Sequence, residues 1–318
     1  MQFKDVDRAE FALDWETMSV ATMAQKYGAH GRTVQYWAKQ IGLPSRAAGI
    51  RTDAAIAFPA NAGEDYDQAI KVKADRAVII GDCEIPDHSI SGMENVIKVA
   101  RKFDIKTLII NGDFVALDSF SKWAKSQINK VFFKQELGAA LISLEVFLQT
   151  FDNIYYISGN HELRLPHMID GQISVGSFLN QLAGVEFSEY AHCELKSGTR
   201  DWLVCHQKNF SIVPLSVPAK LAVARQKSVW AAHNHRLAWG YDPSGIHCLV
   251  EGGHLRDDKK THYKQLRVTT HPMWNSGFGM CIDGMPYLVD KNNLDFWMSI
   301  QVGNIENELK KATPKKRQ

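Results

Sequence analysis

Hydrophobic and polar positions along this chain follow three regimes in turn. From residue 1 to about 46, apolar residues recur at helical spacing among Ala, Gln, Lys, Glu and Arg. Val20, Met23 and Ala24 make one stripe ending at Gly28; Val34, Trp37, Ala38 and Ile41 make a second, ending at Gly42 and Pro44. Residues 47–71 carry no sustained period, are rich in small residues up to Gly63 and include Pro59, so they read as a linker. From Val72 onward, short apolar runs alternate with longer amphipathic stretches such as Ile128 to Thr150, which predicts an α/β domain over residues 72–300. A basic tail, residues 301–318, includes Lys310 and Arg317.

The apolar runs of the third regime share an ending. The run from Ala77 through Ile80 to Gly81 stops at Asp82, with Glu84 two residues on; taken alone, it reads first as a strand that ends in a polar loop and only second as a strand delivering two carboxylates to a metal. The run from Thr107 stops at Gly112 and Asp113, and the run from Ile154 at Gly159, Asn160, His161 and Glu162. Trp202 to Cys205 stops at His206, and Val229 to Ala232 at His233, Asn234 and His235. Residues just past the carboxyl ends of strands in an α/β sheet gather on one edge, where ligands bind. Five such endings supply carboxylate, amide and imidazole donors in sufficient number for two divalent cations.

Composition narrows the setting. The chain has 318 residues, 45% of them hydrophobic, enough for a sizeable core plus a small second domain. Its apolar runs fall short of the ~18 consecutive residues of a membrane span, and the polar residues at positions 1–8 do not read as a signal peptide, so a cytoplasmic setting without membrane association is expected. The five cysteines are scattered and never spaced Cys-x-x-Cys, which predicts reduced thiols and no disulfide-linked partner. A net charge of +2 selects no partner class; the basic tail is either a solvated end or a supplementary phosphate contact.

The order of Asp82-Cys83-Glu84, Gly112-Asp113, Gly159-Asn160-His161-Glu162, Cys205-His206 and His233-Asn234-His235 resembles the calcineurin-like metallophosphoesterases over roughly residues 74 to 290. Gly159 to Glu162 is the most specific piece. Trp274 to Phe278, and Pro86 after the first motif, are similar to bacterial and phage-encoded members, a setting that would be a bacterial or phage-infected cytoplasm. The resemblance implies a four-layer sandwich, two β-sheets flanked by helices, holding two divalent cations. Asp113 would bridge them; Asp82, Glu84 and His235 would complete one site, and Asn160, His206 and His233 the other. It further implies a hydroxide generated from water shared by the cations, with His161 as the catalytic residue that stabilises phosphorane-like charge or protonates the leaving oxygen, and Glu162 orienting that imidazole.

One position departs from the family pattern. Members usually have His two residues after the first Asp, where this chain has Glu84. In an extended segment the spacing keeps Asp82 and Glu84 on one face, so Glu84 remains a candidate ligand; otherwise it points away and His88 substitutes. A carboxylate here favours Mn²⁺, or Mg²⁺, over ions that prefer imidazole, with Fe²⁺ and Zn²⁺ as further candidates. The histidines outside the motifs, among them His30, His167, His192, His247, His262 and His271, read as core or surface residues, and His254 reads either so or as a substrate contact beside Gly252 and Gly253.

The amino-terminal stripes resemble a DNA-binding helix-turn-helix, with Ala24 where helices pack closely, Gly28 at the reversal and Val34 as the buried anchor. Arg32, Thr33, Gln35, Tyr36 and Lys39 would face outward from the second helix, with Arg46 just beyond, offering groups for bases and phosphates. A plain helical bundle is the competing reading. Joined to a dinuclear phosphoesterase, the helix-turn-helix implies a DNA-directed phosphodiesterase or nuclease. The alternatives are a phosphatase or cyclic-nucleotide phosphodiesterase, and a DNA-binding regulator whose phosphoesterase domain has degenerated. No oligomeric state is specified.

Overall fold

The computed structural model describes residues 5–44, 66–122, 131–179, 182–261 and 274–301. Arg46, most of the expected linker, the basic tail, His262 and His271 lie outside the described residues. The chain divides into two units, Met1–Asp65 and Tyr66–Gln318.

The first unit holds three helices, α1 (Arg8–Thr17), α2 (Val20–Lys26) and α3 (Gly31–Gln40). Asp7 caps α1 by accepting from the backbone N–H groups of Ala9 and Glu10, and Ser19 caps α2 through Thr22. Gly28, at φ 57°, takes the left-handed conformation that lets the chain reverse between α2 and α3. The two sequence stripes face one core: Phe11, Trp15, Met23, Tyr27, Val34, Trp37 and Ala38 are buried together. Asp14 is buried against them and accepts from Lys26 Nζ at 2.6 Å and Tyr27 Oη at 2.5 Å. These donors hold the Asp14 carboxyl below the usual carboxylate range.

The second unit is built on two six-stranded sheets. In one, β2 (Arg76–Ile80), β3 (Thr107–Asn111), β4 (Asn153–Ile157) and β5 (Val185–Ser188) run parallel, and β11 (Phe278–Ile282) and β12 (Met285–Val289) extend it antiparallel beyond β2. In the other, β7 (Arg200–His206), β8 (Ser228–Ala232) and β10 (Cys248–Gly252) run parallel, flanked by β6 (His192–Ser197) and β1 (Lys71–Lys73) on one side and by β9 (Leu237–Tyr241) on the other.

The unbroken apolar runs follow from burial on both faces of each sheet. Along β2, Ala77 and Ile79 point between the sheets, where they meet Ile109, Ile157, Trp202, Val204, Trp230 and Val250. Val78 and Ile80 point the other way, into a core shared with α4 (Ile90–Lys102) and α5 (Phe133–Leu148). The second sheet turns Leu203, Cys205, Val229, Ala231 and Leu249 toward α6 (Ser216–Arg225), where Ala222 is buried. Helix, sheet, sheet, helix is the four-layer sandwich that the motif order implied.

The five motif-ending strands do not belong to one sheet, as a single-edge reading expects. Three, β2, β3 and β4, come from the first sheet and two, β7 and β8, from the second. Their ends nevertheless meet. The Asn111 side chain donates to the Trp230 carbonyl at 3.3 Å, and a Cβ on Gly81 would lie 3.1 Å from that of Ala232. Among the described residues no helix is long and apolar enough to cross a membrane.

Candidate metal centre

At the joined strand ends the expected ligands come close together, all buried except the half-buried His233 and the exposed Asn160. One ligand atom each from Asp113, His206 and His233 lies within 4.8 Å of the other two. His206 Nδ1 donates to the Asn111 carbonyl at 2.9 Å, leaving Nε2 to face Asp113 Oδ2 at 3.3 Å and Asn160 Oδ1 at 3.1 Å. The His206 and His233 ring centroids are 5.2 Å apart. On the other side, His235 Nε2 lies 3.3 Å from both Asp82 Oδ1 and Glu84 Oε1. Asp82 Oδ2 accepts from the His233 backbone N–H at 2.9 Å, which ties the β2 ending to the β8 ending.

The backbone is strained where the ligands sit. Asp82, Glu84, Asp113, His233 and His235 all have positive φ, between 48° and 85°, a region that non-glycine residues enter at a cost of about 1–3 kcal/mol each. Two glycines make the close approach feasible. A Cβ on Gly112 would fall 2.5 Å from His206 Nδ1, and one on Gly159 would collide with the Asp113 carboxylate.

The charges are mutually supporting. Burial opposes ionisation of Asp113, but His161 and His206 outweigh it and hold the carboxyl well below the usual range. Burial likewise opposes a charge on His206, yet Asp113 raises its pKa to about 10. Asp82 is lowered against its own burial, chiefly by His235.

The family model for calcineurin-like phosphoesterase matches residues 76–299. The chain belongs to that family. No curated protein matches it. Among solved structures, it is similar to an archaeal phosphodiesterase at 12% identity and TM-score 0.39, covering 67% of this chain and 98% of that one. A phosphoesterase from E. coli, also at 12% identity and TM-score 0.39, covers 69% and 94%. The vacuolar protein sorting 29 of Cryptosporidium parvum, at 14% identity and TM-score 0.38, covers 68% and 95%.

Calcineurin-like phosphoesterases use divalent metals, and the donors in this chain fit such ions. Asp82 Oδ1 is fully enclosed and, beyond the His235 Nε2 contact at 3.3 Å, receives no well-formed hydrogen bond among the described residues, although a buried carboxylate oxygen ordinarily has one. Asp113 Oδ2 and His206 Nε2 face each other at 3.3 Å with Nδ1 committed to the Asn111 carbonyl, so an oxygen and a nitrogen donor converge where a cation would be held.

Several neighbours had no motif to announce them. Arg256, almost wholly buried, makes a direct ion pair with Glu84 Oε2 and reaches Asp87 Oδ2 at 3.2 Å. Glu84 Oε1 therefore faces His235 while Oε2 faces a guanidinium. The His88 side chain has the Pro86 backbone and the Lys260 charge among its neighbours, and burial lowers its pKa. Arg164 approaches His161 Nε2 at 2.8 Å, and its other nitrogen bonds the Ala116 carbonyl at 2.7 Å and Asp118 at 2.6 Å. A guanidinium only donates, so His161 Nε2 accepts and the ring proton is assigned to Nδ1; burial also lowers the His161 pKa. His254 is fully enclosed and stacks on His235 with centroids 5.1 Å apart, which makes it a support for that ring and removes it as a substrate contact.

Glu162 does something other than orient the His161 imidazole. Its carboxylate accepts from the backbone N–H groups of Asp113, Phe114, Val115 and Gly159 at 2.8 to 3.2 Å and from Tyr156 Oη at 2.5 Å. It clamps the β3 and β4 endings to each other. His161 is fixed by its backbone N–H, which donates to Asp113 Oδ1 at 2.8 Å.

In the helical unit, Arg32, Gln35, Tyr36 and Lys39 are exposed on α3 and Thr33 is half-buried, while Val34, Trp37 and Ala38 face the core. Gln40 Nε2 donates to Tyr36 Oη at 2.8 Å.

Proposed function

We propose that this phosphoesterase is a phosphodiesterase using two divalent cations, Mn²⁺ foremost, and that its amino-terminal unit directs it to DNA as a nuclease. The observation carrying the hydrolytic reading is Asp113. It is buried between two donor groups, with Oδ1 held by the His161 N–H and Oδ2 turned toward His206. Asn160, His206 and His233 are the ligands on one side; Asp82, Glu84 and His235 are those on the other.

Cations bound there supply Lewis-acid charge to phosphoryl oxygens and raise the acidity of water. The chain's own residues do the rest. The Asn111 carbonyl fixes the His206 tautomer, and Glu162 holds the loops bearing Asp113 and Asn160 in register. Arg164 keeps the His161 ring in place with Nε2 3.6 Å from Asp113 Oδ2, which sets the imidazole at the edge of the centre beside charge developing on the phosphoryl group.

The DNA-directed part is supported by the exposed Arg32, Gln35, Tyr36 and Lys39 on α3, with Thr33 beside them and Arg46 following in sequence. Tethering raises the local concentration of phosphodiester near the catalytic unit. The test compares bis-p-nitrophenyl phosphate, p-nitrophenyl phosphate and long DNA, each with Mn²⁺ or Mg²⁺, on the full chain and on a chain lacking residues 1–46. Diester turnover should exceed monoester turnover. Deletion should spare the small diester and depress DNA cleavage, and Arg32→Glu with Lys39→Glu should mimic deletion and flatten the salt dependence of DNA affinity by about 0.9 in log-log slope per lost contact. Exclusive monoester turnover would leave a phosphatase, and equal losses on both substrates would end the tether.

A further inference from the structure

Glu84 and Arg256 make the two halves of the centre unequal. Among the described residues no guanidinium contacts the donor atoms of Asp113, His206 and His233; in the other half, one oxygen of Glu84 is already committed to Arg256. Arg256 is not a surface side chain that happened to fold inward. It is 3% exposed, it also reaches Asp87, and its backbone bridges to His88. The flanking backbone is tied to the first motif as well: Leu255 N–H donates to the Asp82 carbonyl, Ser89 N–H to the Leu255 carbonyl and Asp257 N–H to the Asp87 carbonyl. Segment 254–257 thus brings a fixed positive charge to the carboxylate that stands in the ligand set of Asp82, Glu84 and His235.

We propose that Arg256 is a positioning residue that restricts Glu84 to one donor oxygen and offsets its charge, so that the Asp82–Glu84–His235 locus binds its divalent cation more weakly than the Asp113–His206–His233 locus. This rests on the two-cation reading above. Two effects of Arg256 oppose each other. Orienting a ligand from behind strengthens metal binding, typically by about 10- to 100-fold. A unit positive charge sharing one buried carboxylate with a dication weakens it, and in a protein interior with an effective permittivity of about 20 that repulsion exceeds the orienting gain. Charge therefore decides the sign, and the locus beside Arg256 fills second.

The experiment titrates Mn²⁺ into the chelator-stripped full chain and reads binding by calorimetry and by the spin-resonance signal of free ion. Two steps separated by about tenfold or more are expected, the weaker one abolished by Glu84→Gln. Arg256→Met should tighten the weaker step until the two merge, and Arg256→Lys, which retains the charge without the planar fork, should leave them separate. Because Arg256→Met strands two buried carboxylates, Arg256→Met with Asp87→Asn provides a second variant with one fewer uncompensated charge and the same expected merging. Two equal steps in the unaltered chain, or a folded Arg256→Met chain whose second step weakens, would overturn the proposal. A single step that stays single in both Met variants would overturn it too. The function reading fails separately, through absence of metal-dependent diester hydrolysis in the unaltered chain at saturating Mn²⁺.

Discussion

Replacing Glu162 should cost more stability than replacing any single metal ligand, because one buried carboxylate closes five hydrogen bonds across two loops. A hydrogen bond to a charged group contributes about 1.5–3 kcal/mol, but five bonds converging on two oxygens do not add, and water entering the cavity would recover part of the loss. The unrecovered part is the burial of four backbone N–H groups that have lost their acceptor, at about 1–3 kcal/mol each, and the low end for four gives about 4 kcal/mol for Glu162→Ala. That is a large share of the ~5–15 kcal/mol by which a domain is ordinarily stable. Tyr156→Phe calibrates the scale, since it deletes only the hydroxyl donor and should cost about 1–2 kcal/mol. Glu162→Gln retains one acceptor oxygen while turning an amide N–H₂ toward backbone N–H groups, so it should fall between the two. Urea denaturation of chelator-treated protein, followed by circular dichroism and tryptophan fluorescence, measures all three without metal-binding linkage. If Glu162→Ala lies within about 1 kcal/mol of Tyr156→Phe, the carboxylate is not the clamp described; should the Ala variant fail to fold, Glu162→Gln decides by the same comparison.

Asp113→Asn should lower metal occupancy and activity by orders of magnitude with the fold retained, which metal analysis and circular dichroism report together; full turnover with metal bound would refute its bridging role. His161→Ala removes a group proposed to meet the reacting phosphoryl and no proposed ligand, so kcat should fall by about 10²- to 10⁴-fold at unchanged metal content, and concurrent metal loss would make His161 a ligand. All five cysteines are buried, and burial pushes the thiols of Cys193 and Cys205 up to about 12 and that of Cys281 to about 11. Native protein near pH 8 should therefore release less than one equivalent in a disulfide-exchange thiol assay and five on denaturation; rapid native reaction at two or more would contradict the burial.

The strand endings were legible because their chemistry is local. Asp82, Asp113, Asn160, His206, His233 and His235 each follow directly on an apolar run, and a run buried on both faces looks continuous in sequence whichever sheet it joins. That same continuity hid the division into two sheets. Ile79 and Val204 belong to different sheets and share one core, yet nothing in either run specifies its partner. Arg256 was illegible for a related reason. It lies 172 positions from Glu84, follows no motif, and acquires its role only when β10 is laid parallel to β8 and the chain beyond it returns past Asp82. Glu162 stood inside the most specific motif, but its neighbour in sequence is His161 while its partners in space are four backbone amides, and backbone amides carry no signature.

Positive φ at Asp82, Glu84, Asp113, His233 and His235 adds a constraint that no residue type expresses. Each ligand-bearing turn is held in a conformation that an isolated peptide would leave, so each needs a neighbour that over-determines it. Asp113 has the Glu162 clamp on its own N–H, and Asp82 has a backbone bond from its N–H to the Gly112 carbonyl at 3.1 Å. Between His233 and His235, Asn234 Nδ2 donates to the buried Glu251 at 2.8 Å, anchoring the turn to β10 from behind. Glu84 donates its N–H to the Asp113 carbonyl at 2.9 Å, so the two carboxylates proposed to lie on either side of one cation are also linked through the backbone. The positions closest to the proposed chemistry are thus held by contacts that point away from it. The ligand atoms are left facing inward toward one another, and buried Asp82 Oδ1, which meets His235 Nε2 at 3.3 Å, is the clearest instance of a donor kept for something other than the fold.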